Sequence, residues 1–148
     1  MSGIVCAIRG GPESQAPILR AIQLAQETGE TVHFLFVVNL DFLTKTSSSR
    51  THHLSSEMQQ MGEFILLTAE DQAARQGITA QGSVRRGNVS KEIIALCQEI
   101  EADYVVLGRP RAADRPDVFD ITRLETFIGQ LQLQTTAQVV LAGGEEES

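Results

Sequence analysis

Short apolar runs rich in Val, Ile and Leu recur along the chain, separated by longer stretches in which apolar residues return every three or four positions. The short runs suit strands buried on both faces, and the longer pattern suits amphipathic helices. Strands are predicted at Ile4–Ile8, Val32–Val38, Thr79–Val84, Tyr104–Leu107 and Gln138–Ala142. Between the first two, Ile18, Ala21, Ile22 and Ala25 fall on one helix face, with Leu24 at its edge. Ser14 is the predicted N-cap, Pro17 is tolerable in the first turn, and Gly29 is the predicted stop. A second helix is predicted from Ser55 or Ser56 to Gln76, with Met58, Met61, Ile65, Leu66 and Ala69 on one face and Gly77 after it. That Met-bearing face has two readings, core packing or an adaptable partner surface. A third helix is predicted over Ser90–Ile100, carrying Ile93, Ile94, Leu96 and Cys97, and a fourth over Thr122–Leu133, carrying Leu124, Phe127, Ile128 and Leu131. Asp41–Ser56, with its serines and its paired His52 and His53, is predicted to be a mobile loop. Pro110 and Pro116 keep Arg109–Asp120 out of helix and strand.

Strand and helix in alternation predict an α/β doubly wound, flavodoxin-like sheet of five mostly parallel strands in the order 3-2-1-4-5, with helices on both faces. In such a sheet the ligand crevice lies outside the carboxyl ends of strands one and four, where the winding reverses. Arg9–Ser14 would therefore face Gly108–Thr122. One domain is expected over 1–142, followed by a solvated acidic tail, 143–148.

Composition narrows the functions. The 148 residues, 42% hydrophobic and 21% charged, suit one soluble domain that needs no disulfide or metal to hold its core. Nineteen acidic against twelve basic residues give a net charge of -7, which disfavours nucleic acid. No run reaches the roughly eighteen apolar residues of a membrane span, and no basic segment precedes a signal-length apolar run, so a cytoplasmic protein without membrane association is expected. Cys6 and Cys97 sit in apolar segments and suit reduced core thiols. His33, His52 and His53 lack the spacing of a metal site, and no nucleophile lies in a recognisable triad motif, so neither a metal ligand nor a catalytic residue is assigned. Glu99, Glu101, Gln132 and Gln134 read as solvated faces.

The first unit, IVCAIRGGPESQAPILRAIQLAQETGETVHFLFVV, together with RGNVSKEIIALCQEIEADYVVLG, resembles the universal stress protein family in the order and spacing of its turns. The resemblance implies a stress-response or regulatory binding protein, homodimeric through its last strand. Val139, Val140 and Leu141 form an unguarded β-prone run suited to that pairing. An unknown protein partner is also expected. Relatives that bind ATP carry an Asp after strand one and, after strand four, Gly, two residues, Gly, nine residues, Gly, then Ser or Thr. Gly108 and Thr122 match, whereas Arg9, Arg111 and Ile121 replace the Asp and two glycines. Side chains at 111 and 121 crowd the backbone approach that phosphates need, and an arginine cannot accept a hydrogen bond as an aspartate does. ATP in the usual pose is therefore disfavoured, and an adenine-nucleotide binder with slow or no hydrolysis is the alternative.

The chain has ten Arg and two Lys, and Arg9, Arg109, Arg111, Arg115 and Arg123 fall in or beside the expected crevice. They suit an anionic ligand, but a loop neutralised by its own Asp114, Asp117, Asp120 and Glu125 is the slightly favoured reading. RGGPES also resembles the Ser-Gly-Gly-x-Asp-Ser phosphate loop of ATP pyrophosphatases, but Arg9 and Glu13 break that motif. The candidate ligand-binding set is Arg9, Gly10, Gly11, Val37, Gly108, Arg109, Arg111 and Thr122. No resident cofactor is expected; ATP or another anion is the candidate occupant.

Overall fold

The computed structural model describes residues 3–8, 15–38, 48–108 and 121–142, and gives only the backbone of 48–55 and 121–124. Its elements run β1 (Ile4–Ile8), α1 (Gln15–Thr28), β2 (Val32–Val38), α2 (Ser48–Arg75), β3 (Ala80–Arg86), α3 (Val89–Ile100), β4 (Tyr104–Gly108), α4 (Ile121–Gln134) and β5 (Gln138–Ala142). The strands form a single parallel sheet in the order β3-β2-β1-β4-β5. This is the expected doubly wound α/β order, and the reversal falls between β1 and β4.

Strand periodicity divides the core into two layers. Ile4, Cys6 and Ile8 of β1, with Phe34, Phe36 and Val38 of β2, pack beneath α1 and α2. Val5, Leu35, Val105 and Leu107 point the other way, toward Ile93, Leu96 and Cys97 of α3 and Phe127 and Leu131 of α4. Burying a side chain such as Phe34 or Leu35, each fully inaccessible, stabilises the fold by roughly 1.5–3 kcal/mol.

Helix α1 buries Ile18, Ala21, Ile22, Leu24 and Ala25, the face expected from their spacing. It stops at Gly29, whose φ of 78° lets its N–H donate to the Ala25 carbonyl at 2.7 Å. Helix α3 is capped by Asn88, which accepts from the Lys91 N–H at 3.0 Å.

Three sequence expectations change. The loop expected over Asp41–Ser56 is overturned from Ser48 onward, because α2 begins there. Its Ser, Thr and His residues have modest helix propensity, but no Gly or Pro interrupts 41–61, and extending an existing helix is far easier than nucleating one. Strand β3 runs past Val84 to Arg86, since Arg85 and Arg86 continue the ladder opposite Val37 and Val38. Met61 leaves the expected core face: Leu66, Ala69 and Ala73 are buried, whereas Met61 is 48% exposed. The buried face of α2 is instead centred on Gly62, Leu66 and Ala69, with Met58 and Ile65 half-buried beside it.

Gly62 lets α2 approach the sheet. A methyl group there would overlap the ring of Phe36. Gly62→Ala is therefore expected to destabilise the protein in urea denaturation, with roughly 1–3 kcal/mol of overpacking outweighing the ~1 kcal/mol gained in helix propensity. Gly129→Ala in α4, where a methyl meets nothing within 4 Å, is expected to stabilise instead.

Candidate functional site

The carboxyl ends of β2, β1 and β4 lie side by side, ending in Val38, Ile8 and Gly108. Pro17, buried in the first turn of α1, covers this junction. The Cys6 thiol donates to the Pro17 carbonyl at 3.5 Å, and a methyl placed on Gly108 would sit 3.4 Å from the Pro17 ring. The start of α1 is thus held against both strands that flank the reversal. On the other face, the Gly87 N–H donates to the Val38 carbonyl at 3.0 Å and carries the chain into the Asn88 cap of α3. Two helix beginnings therefore lie at the carboxyl edge of the sheet, where backbone N–H groups and helix dipoles favour an anion.

Of the expected ligand residues, Val37 and Gly108 fall at the ends of the two strands that flank β1. Val37 is half-buried and packs against the α3 and α4 layer. Thr122 is the second residue of α4, the helix-start position expected from its spacing. Arg9, Gly10, Gly11, Arg109 and Arg111 lie outside the described residues, as do Arg115 and the tail 143–148.

Sequence reasoning missed an ion-pair cluster at the β3 end of this same edge, where Arg85 and Arg86 lie in register with Val37 and Val38. Arg85 of β3 holds Glu99 through two contacts, Nη2 to Oε1 at 2.6 Å and Nη1 to Oε2 at 3.2 Å, and Glu92 Oε1 lies 3.5 Å from Nη1. The hydrogen bond from Arg85 lowers the Glu99 pKa, and the same bond is the leading cause that raises that of Arg85. Glu99 is therefore not just a solvated charge, because it ties α3 to the edge strand. The signal was the spacing of Glu92 and Glu99, two turns apart on one helix, after a strand ending in two arginines. Arg86 donates through Nε to Gln59 Oε1 at 3.0 Å and also through Nη2, tying β3 to α2.

Both cysteines are free and buried, in opposite layers of the core. Burial raises the Cys6 pKa strongly and that of Cys97 to about 12, so neither supplies a thiolate nucleophile at neutral pH. Desolvation lowers the pKa of His33, favouring the neutral imidazole. Among the described residues no three His, Cys, Asp or Glu side chains are grouped to hold a metal ion, and no helix is long and apolar enough to cross a membrane.

The family model for the universal stress protein family matches residues 1–141, and the chain belongs to that family. The structure is similar to universal stress protein UspA from Lactobacillus plantarum, with a TM-score of 0.79 and 14% identity over 96% of this chain and 97% of that one. It is similar to a hypothetical protein whose biochemical function was assigned from its structure, with a TM-score of 0.80 and 11% identity over 99% and 97% of the two chains. A universal stress protein solved in complex with cAMP aligns with a TM-score of 0.67 and 17% identity, covering 96% of this chain and 97% of that chain. No curated protein matches by sequence.

Among the described residues a side chain at position 108 meets only the Pro17 ring, at ordinary contact distance. Gly108→Ala is accordingly expected to keep the thermal midpoint within about 2 °C of wild type, roughly 0.5 kcal/mol, in a scanning-fluorimetry comparison.

Proposed function

We propose that this protein is a stress-response or regulatory binding module that works by association, not turnover, and does not hold ATP in the pose used by its ATP-binding relatives. The carrying observation is the set of residues that follow β1 and β4 in the sequence. Arg9 directly follows the buried end of β1, and Arg111 and Ile121 stand where the ATP-binding motif has glycine. A cationic side chain at position 9 cannot accept from a ribose hydroxyl or an adenine amine, and bulk at 111 and 121 opposes a backbone cradle for phosphates. Burial of both thiols leaves them unsuited to covalent chemistry, which also favours binding over catalysis.

Adenine-nucleotide binding is the second reading. It is supported by Gly108, by Thr122 in the first turn of α4, and by the similar universal stress protein solved with cAMP. The two readings separate in calorimetric and thermal-shift titrations of nucleotide-free protein with ATP, AMP, cAMP, cyclic dinucleotides and phosphate. Wild type is expected to show no saturable ATP binding, and Arg9→Asp to gain it. Saturable binding of ATP by wild type would put the nucleotide reading first.

The expected homodimer is formed by pairing β5 with its copy. Val139, Val140, Leu141 and Ala142 are half-buried although β5 pairs only with β4 in the sheet, which leaves one ladder edge available. Light scattering at micromolar concentration is expected to give twice the chain mass, and a monomeric mass would refute this pairing.

A further inference from the structure

Helix α2 buries one face and leaves three large apolar side chains on the other. Phe64 is 70% exposed, Leu67 64% and Met61 48%. Spaced by three residues, they form a continuous line along the helix, unlike the isolated apolar residues common on protein surfaces. Over residues 56–74 the same helix carries Glu57, Glu63, Glu70 and Asp71 and no Lys or Arg. Arg50 lies in the first turn of the helix, and Arg75, its last residue, lies 2.9 Å from Asp71, so that this pair neutralises itself. Glu57 and Glu63 are exposed along this line, whereas the Glu70 carboxylate reaches over Gly82 of β3, so the line calls for apolar surface flanked by positive charge beside Glu57 and Glu63. A second copy would set like charges against each other, and an anionic lipid surface would be repelled in the same way.

We propose that the outer face of α2, centred on Phe64, docks a cationic amphipathic helix from a partner protein. The span from Glu57 to Asp71 is about 21 Å long, enough to receive about four turns of a partner helix. Phe64, Met61 and Leu67 would provide the apolar anchors, and the flanking carboxylates would orient Lys or Arg side chains. This surface is separate from the carboxyl edge of the sheet, so docking does not require a nucleotide.

The test is a titration of the full chain with an 18-residue Leu/Lys amphipathic peptide carrying a single Trp. The protein has no Trp, so peptide emission reports binding directly. A saturable blue shift is expected, weakened by raised salt and absent for a peptide with Glu in place of Lys. The double variant Phe64→Ser, Leu67→Ser, which alters only exposed positions, is expected to weaken binding about tenfold or more. Glu63→Lys, which leaves the apolar line intact, is expected to weaken it severalfold. Absence of saturable binding, or equal affinity in wild type and both variants, would overturn the proposal. A wild type that sediments as a larger species than the double variant would also overturn it, assigning the surface to a second copy.

Discussion

Strand β1 has a paired strand on each edge and a helical layer on each face. Its backbone N–H and C=O groups can be satisfied only by β2 and β4, since water has no access to Ile4, Val5 or Cys6. Parallel partners need long crossovers, and right-handed crossovers to opposite sides of β1 place α1 and α2 on one face and α3 and α4 on the other. The helices that follow β1 and β4 therefore pack on opposite faces of the sheet. One buried strand thus fixes the layering on both faces and the point at which the winding reverses.

Most of this organisation was legible because buried parallel strands leave little freedom in sequence. VHFLFVV and YVVLG show nearly continuous apolar character, and their limits emerged with little error. The less legible elements are those whose stability comes from contacts instead of local pattern. The amino-terminal half of α2 has weak helical composition, and β3 ends in two arginines held by Glu99 and Gln59 from helices distant in sequence. Met61 illustrates a third limit. It lies within a plausible periodic face, but the glycine beside it makes the close approach and turns the burial axis toward Phe36. The candidate ligand set divides in the same way, because Gly108 and Thr122 fall at the strand end and helix start that motif spacing predicts, whereas Arg9, Arg109 and Arg111 are known from their order in the chain alone.

Arginine usage takes on a different meaning beside the structure. Arg20 donates to Gln23, Arg75 meets Asp71, Arg85 meets Glu92 and Glu99, and Arg86 donates to Gln59. Each contact is short-range, and most are solvent-facing, so their combined effect on stability is modest. Their arrangement is more informative: Arg85 and Arg86 fasten the edge strand β3 to α3 and α2, giving that edge charged guards that Val139–Leu141 lack. The two margins of the sheet are therefore chemically unlike, one carrying arginines held by its own helices and the other apolar.

The Gly62–Phe36 contact has a consequence for how the sequence can diverge. Residues so close do not vary independently, since each defines the volume allowed to the other. A side chain at 62 becomes accessible only after Phe36 has been replaced by something smaller, and that first step leaves a cavity beneath α2. Replacement at this junction therefore passes through a weakened intermediate unless a compensating change elsewhere comes first.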